Sequence, residues 1–282
     1  MRAHHGRSPT AVSRAWTLGR FLFVYAAALI VACRGLSVGR AHADPDAIWT
    51  IVHDRCVPDQ QHSGDPAPCA LVDVSGGEDN GYAVLKDIDG ATQFLLIPTG
   101  RMSGIGSPAV LAPGATNFFA AAWRARFFVD QRAGRPVPRD WVSLAINSQV
   151  AQTQDQLHIH IDCIRADVHQ ALTDHAAEIG TTWAAFPIPL AGHPYSAIAV
   201  NGDDLDAVNP FTLLADRDKR ARADMADESL VVVGTFDADG QPGFVILADR
   251  VDTSAGDTAA GEELQDHASC PPATAASTLT PG

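Results

Sequence analysis

The segment Gln152-Thr153-Gln154-Asp155-Gln156-Leu157-His158-Ile159-His160-Ile161 sets two imidazoles two residues apart among alternating apolar residues. Successive side chains of a β-strand point to opposite faces. The alternation therefore predicts a strand over 156–163, with Gln156, His158 and His160 on one face and Leu157, Ile159 and Ile161 in a core. A lone histidine on a half-buried strand is usually a locally hydrogen-bonded structural residue. Two on one face point to a nucleophile with a phosphate-binding partner, or to two ligands of a metal ion.

The metal reading needs a third ligand. Asp162 and Asp167 are the nearest carboxylates, and both are read as projecting away from the pair. His193 and His267 would reach it only through the fold, and a surface or structural role is the plainer reading of each. A catalytic thiol at Cys163 would sit on the opposite face of the strand. Upstream, Gln93-Phe94-Leu95-Leu96-Ile97-Pro98 reads as a buried strand stopped by its proline, with Arg101 just beyond its end. The apolar run 141–146 is closed by Asn147, and Gln152 and Thr153 lie between it and the histidines.

An FLLIP-type strand, an Asn closing a second strand, a Gln-Thr pair and a polar-x-His-x-His row together resemble the histidine-triad superfamily of nucleotide hydrolases and transferases. More narrowly, residues 80–87, 117–119, 143–148, 156–165 and 264–267, with the flanking cysteines, are similar to the bacterial CDP-diacylglycerol pyrophosphatase family. The similarity spans roughly residues 45–270. It implies an α+β, histidine-triad-like fold: an antiparallel sheet with covering helices, leaving room for a divergent second half. It also implies hydrolysis of CDP-diacylglycerol to phosphatidate and CMP, with His158 as nucleophile and His160 binding the phosphate. Asn147, Gln152 and Thr153 would hydrogen-bond that phosphate and Arg101 would neutralise it, with no metal or other cofactor. Gln156 stands where the wider superfamily has His, and is read as orienting His158 by hydrogen bonding. The rivals are hydrolysis of soluble nucleotide pyrophosphates and a nucleotide- or lipid-binding lipoprotein without turnover.

Composition limits the partners. The first 43 residues hold six arginines and no acid, and the remainder sets 14 basic against 33 acidic side chains, a balance of −19. Nucleic acid is excluded as a partner on that balance. The apolar run 21–33 has 13 residues, short of the ~20 that span a bilayer. Residues 1–43 thus read as a signal peptide or membrane anchor. Ile30-Val31-Ala32-Cys33 resembles a lipobox, and Ala41-His42-Ala43 fits a small-residue cleavage site. Each alternative places a body over 44–270 outside the cytoplasm, at the inner membrane, where it would meet CDP-diacylglycerol. The oligomeric state is not legible.

In an exported body the remaining Cys56, Cys69, Cys163 and Cys270 are expected as disulfides. Three connectivities are open; loop length favours Cys56 with Cys69, which leaves Cys163 with Cys270. A short helix is expected over 45–56, a loop over 57–80, and strands over 82–86 and 92–97 about an Asp89-Gly90 turn. Thr116 is read as capping a helix over 118–132. Strands 142–147 and 156–163, a helix over 167–179 and strands 230–236 and 243–248 follow, with a disordered tail from 271.

Overall fold

The computed structural model describes residues 44–272 apart from Asp218. The expected export segment, and all but two residues of the expected tail, lie outside that range.

The chain enters on helix α1 (Ala47–Ile51), widens into a π turn (Val52–Cys56) and continues as α2 (Val57–Ser63), ending at Gly64 with φ 74°. The loop expected from residue 57 therefore begins only at Gly64. Pro58 is tolerated because it falls in the first turn after the π segment, where a missing N–H is harmless. Ile48, Val52, Cys56 and Val57 recur at helical spacing and are buried.

Nine strands follow: β1 (Leu71–Asp73), β2 (Tyr82–Lys86), β3 (Phe94–Pro98), β4 (Val142–Ile146), β5 (Ile159–Cys163), β6 (Ala184–Ala185), β7 (Ser196–Asn201), β8 (Glu228–Phe236) and β9 (Pro242–Arg250). They form one antiparallel sheet in the order β1-β2-β3-β5-β4-β8-β9-β7-β6. The α+β class with an antiparallel sheet and covering helices is as expected. The first four long strands are ordered 2-3-5-4 and the last four, read from the opposite edge, 6-7-9-8. The same connectivity thus occurs twice, meeting at the β4–β8 seam, although the sequence shows no repeat.

The helices fall into the same scheme. Between β3 and β4 lie α3 (Phe118–Ala125) and α4 (Phe127–Ala133), and between β7 and β8 lie α6 (Pro210–Ala215) and α7 (Lys219–Ala223). A further helix, α5 (Ala166–Asp174), follows β5. The cap of α3 is Asn117, whose side chain accepts from Ala120 N at 3.1 Å, so the role expected of Thr116 falls one residue later. The single helix expected over 118–132 is broken at Arg126 into two.

Strand alternation sorts the core into two faces. Phe94, Leu96, Leu144, Ile146, Ile159, Ile161, Val232 and Ile246 pack against Phe118, Phe119 and Trp123 of α3 and Phe211 and Leu214 of α6. On the other face, Ala83, Leu85, Leu95 and Ile97 meet α1, the π turn and α2. Farther along that face, Ala145, Val231, Val233 and Leu247 meet Val168 and Leu172 of α5 and Leu264. Between these two apolar blocks lies a polar strip on β5.

Both disulfides pair as loop length favours, Cys56 with Cys69 and Cys163 with Cys270. The second spans 107 residues and ties β5 to the C-terminal segment. Replacing Cys163 and Cys270 together by Ser is expected to lower stability by about 2–4 kcal/mol, read by thermal or urea denaturation. A loss below about 0.5 kcal/mol would show that other contacts hold that segment.

Candidate active site

The strand carrying the histidines begins at Ile159 and not at Gln156. Its ladder with β3 ends at the pair Leu96↔Ile159. Residues 156–158 are held instead by the side chain of Gln156, which is fully buried. Its Oε1 accepts from Met102 N at 3.1 Å, and its Nε2 donates to Pro98 O at 3.0 Å and Gly100 O at 2.9 Å. Leu157 N donates to Met102 O at 2.6 Å. One amide side chain therefore replaces the missing ladder, as a buried amide with both ends partnered can. Orientation of His158 comes from Gln156 by a different group than expected: the backbone carbonyl lies 2.7 Å from His158 Nδ1.

A carbonyl oxygen only accepts, so this contact places the proton of neutral His158 on Nδ1 and leaves the Nε2 lone pair unprotonated. Burial, then the neighbouring His160, push the pKa of His158 down to about 4. The ring is thus a neutral base at physiological pH. The two imidazole centroids are 4.9 Å apart.

His160 lies between Leu95 of β3 and Ala145 of β4 in the sheet register. Its Nδ1 is 2.6 Å from Gln93 Nε2, and its Nε2 is 2.9 Å from Glu262 Oε2. Glu262 stands on a 3-10 turn (Gly261–Leu264) laid across the sheet. A Cβ on Gly261 would come within 3.0 Å of the Val231 side chain and 3.1 Å of Ile146 O, so glycine permits that approach. Asn147 Oδ1 accepts from Glu262 N at 3.1 Å. Burial raises the Glu262 carboxyl, but the His160 contact and the Asn147 amide outweigh it and hold the pKa at about 2. Gln265 lies beside this turn and donates from Nε2 to Ser143 O at 3.1 Å and Oγ at 3.0 Å.

Asp162 does not project away from the pair; alternation carries it onto the same face as His160. It accepts from Thr92 Oγ1 at 2.8 Å and lies 3.4 Å from His267 Nδ1, which raises the pKa of His267. The row is therefore Gln156, His158, His160, Asp162, with Asn147 alongside.

Arg101, Gln152 and Thr153 come from the loops at the end of this row. Arg101 pairs with Asp46 and lies 5.2 Å over the Trp49 ring. Gln152 Nε2 donates to Ser103 O at 2.7 Å, and Thr153 is exposed. None of the three hydrogen-bonds either imidazole among the described residues. His193 belongs elsewhere, 2.9 Å from Asp257. Among the described residues, no group of three or more His, Cys, Asp or Glu could hold a metal ion. Glu262 has no local sequence signal; only its place just before the 264–267 segment pointed near it.

The arrangement offers a neutral nitrogen nucleophile beside an imidazole held between an amide and a carboxylate. A family model for CDP-diacylglycerol pyrophosphatase matches residues 43–273. The CDP-diacylglycerol pyrophosphatase of Yersinia pestis is 40% identical over 239 residues, which cover 85% of this chain and 90% of that protein.

Because the folded-state pKa of His158, about 4, lies below the usual 6.5, the unfolded chain takes up the proton first as pH falls. Stability from this group is full above pH ~6.5 and declines toward pH ~4 by up to about 1.4 kcal/mol per unit. Nitrogen-15 NMR should show His158 neutral, with a bare Nε2, between pH 5 and 7. An inflection near pH 6.5 would contradict the burial argument.

Proposed function

The chain belongs to the CDP-diacylglycerol pyrophosphatase family, and from that membership we propose that it hydrolyses CDP-diacylglycerol to phosphatidate and CMP through a nucleotidylated His158. The observation that carries the mechanism is the contact of His158 Nδ1 with the Gln156 carbonyl, which leaves Nε2 as a neutral nucleophile. The Nε2 lone pair attacks the cytidine-bearing phosphorus. The bond from that phosphorus to the bridging oxygen breaks, its electron pair leaves with phosphatidate, and a P–N bond forms. Water then attacks the same phosphorus, the P–N pair returns to Nε2, CMP departs and the proton of water passes to solvent. Splitting one displacement into two in this way is what a good nucleophile that is also a good leaving group allows.

In this reading His160 donates to the phosphoryl oxygens that gain charge, and Asn147, Gln152, Thr153 and Arg101 complete the phosphate contacts. For Arg101 this requires the substrate to compete with Asp46. Gln156 acts as the clamp that fixes the nucleophile's carbonyl partner. The body over 44–270 is read as one histidine-triad-like hydrolase domain, its second half a divergent copy. The two disulfides support an extracytoplasmic location, since such bonds persist in oxidising compartments. No helix among the described residues is long and apolar enough to cross a membrane. From the basic and apolar composition of residues 1–43, we read that segment as what attaches the body to the membrane surface, where the lipid resides.

Purified protein should release CMP and phosphatidate from CDP-diacylglycerol, and His158→Ala should lower the rate at least about a thousandfold while leaving the fold intact. Alkaline quenching during turnover of substrate labelled in the cytidine should leave label on His158. Full activity of His158→Ala, or transfer of phosphatidyl rather than CMP to an added alcohol, would overturn the mechanism. Hydrolysis of soluble CDP compounds with none of the lipid would replace the substrate.

A further inference from the structure

Two imidazoles two residues apart, with centroids 4.9 Å apart, could exchange roles unless something distinguishes them. The partners of their nitrogens are opposite. His158 is held at Nδ1 by an acceptor, the Gln156 carbonyl. His160 is held at Nδ1 by the Gln93 amide and faces a carboxylate at Nε2. An ionised carboxylate can only accept, so the proton of His160 belongs on Nε2 whatever its charge state. A neutral His160 then needs a donor at Nδ1, which fixes the orientation of the Gln93 amide. The two assignments are mutually consistent and independent.

We infer that Glu262 is a positioning residue that, with Gln93, holds the His160 proton on Nε2, so that His160 meets the substrate as a proton donor and His158 alone acts as nucleophile. This rests on the proposed reaction for its chemistry but not for its geometry. Asn147 anchors the backbone of Glu262 and touches its carboxylate, which defines the direction of the carboxylate. Fully ionised at working pH, Glu262 is too weak a base to take a proton from water, and its use is as a fixed counter-charge. Its oxygen also marks where a phosphoryl oxygen would accept from the same N–H. The other titratable groups facing His160 are His158 just before its strand and Asp162 on it, and Asp162 is already engaged by Thr92 and His267. Among the described residues, the polar neighbours from the neighbouring segments are Gln93 just before β3, Ser143 on β4, Asn147 just after it and Gln265, besides Glu262. Acid and nucleophile are thus separated by their surroundings, as pairs of titratable groups in working sites are.

Long-range proton–nitrogen NMR of the substrate-free protein at pH 8 should show His158 protonated on Nδ1 and His160 on Nε2. Glu262→Ala should mix the tautomers of His160, leave His158 unchanged, and lower kcat about 10- to 100-fold with KM within about threefold. Glu262→Gln keeps an acceptor without charge. It should retain the Nε2 tautomer and recover part of the kcat lost in Glu262→Ala. His160 protonated on Nδ1 in the wild type, or Glu262→Ala with the Nε2 tautomer intact and normal melting, would overturn the assignment. The spectra require no substrate, so an inactive wild-type protein would sink the proposed reaction and leave the role of Glu262 decided.

Discussion

A buried imidazole has two nitrogens, and each must meet something polar. That requirement organises the centre of this molecule. At His158 the backbone supplies one partner and leaves the other nitrogen for chemistry; at His160 the Gln93 amide, just before β3, holds one nitrogen and the Glu262 carboxylate faces the other. Gln156, Asn147 and Glu262 then need partners of their own, and they find them in the segment 98–102 and in one another. The result is a polar network in which few groups can turn without stranding another, and networks of this kind fix one arrangement.

The sheet provides the place for that network. One face is continuously apolar and carries four helices. The other is apolar in two blocks, one under the α1–π–α2 segment and one under α5, and the gap between them is the only stretch where β5 can present polar groups without facing a helix's apolar stripe. The Cys163–Cys270 bond draws the C-terminal segment over this gap, bringing Gly261, Glu262 and Gln265 against β4 and β5. A carboxylate about a hundred residues from the histidines in sequence thereby becomes their neighbour.

Much of this was legible in the residues. The two-residue spacing of His158 and His160 gave a shared face, the Asp89-Gly90 pair a turn, and loop length a disulfide pairing. The start of β5 was not, because period 2 continues through Gln156 while the ladder stops; a side-chain amide does there what backbone groups do in a strand. Alternation would also have placed Asp162 in the row had it been followed two residues further. Helix α2 was hidden by Pro58, whose cost disappears in the first turn. The short β1 and β6 hold too few residues for an alternating pattern, and Glu262 owes its position wholly to tertiary contacts.

The twofold occurrence of one strand order has a consequence for how the molecule can be divided. The sheet ends on its shortest strands, β1 with three residues and β6 with two, which leaves little unpaired backbone to recruit another chain. The long strands β4 and β8 are joined at the seam, and β8 carries the run Leu230-Val231-Val232-Val233. Cutting there would turn both into hydrophobic edges, the kind that templates aggregation. Whatever history produced two copies of the pattern, the half that carries His158 and His160 cannot be parted from the other without baring β4 as an open edge.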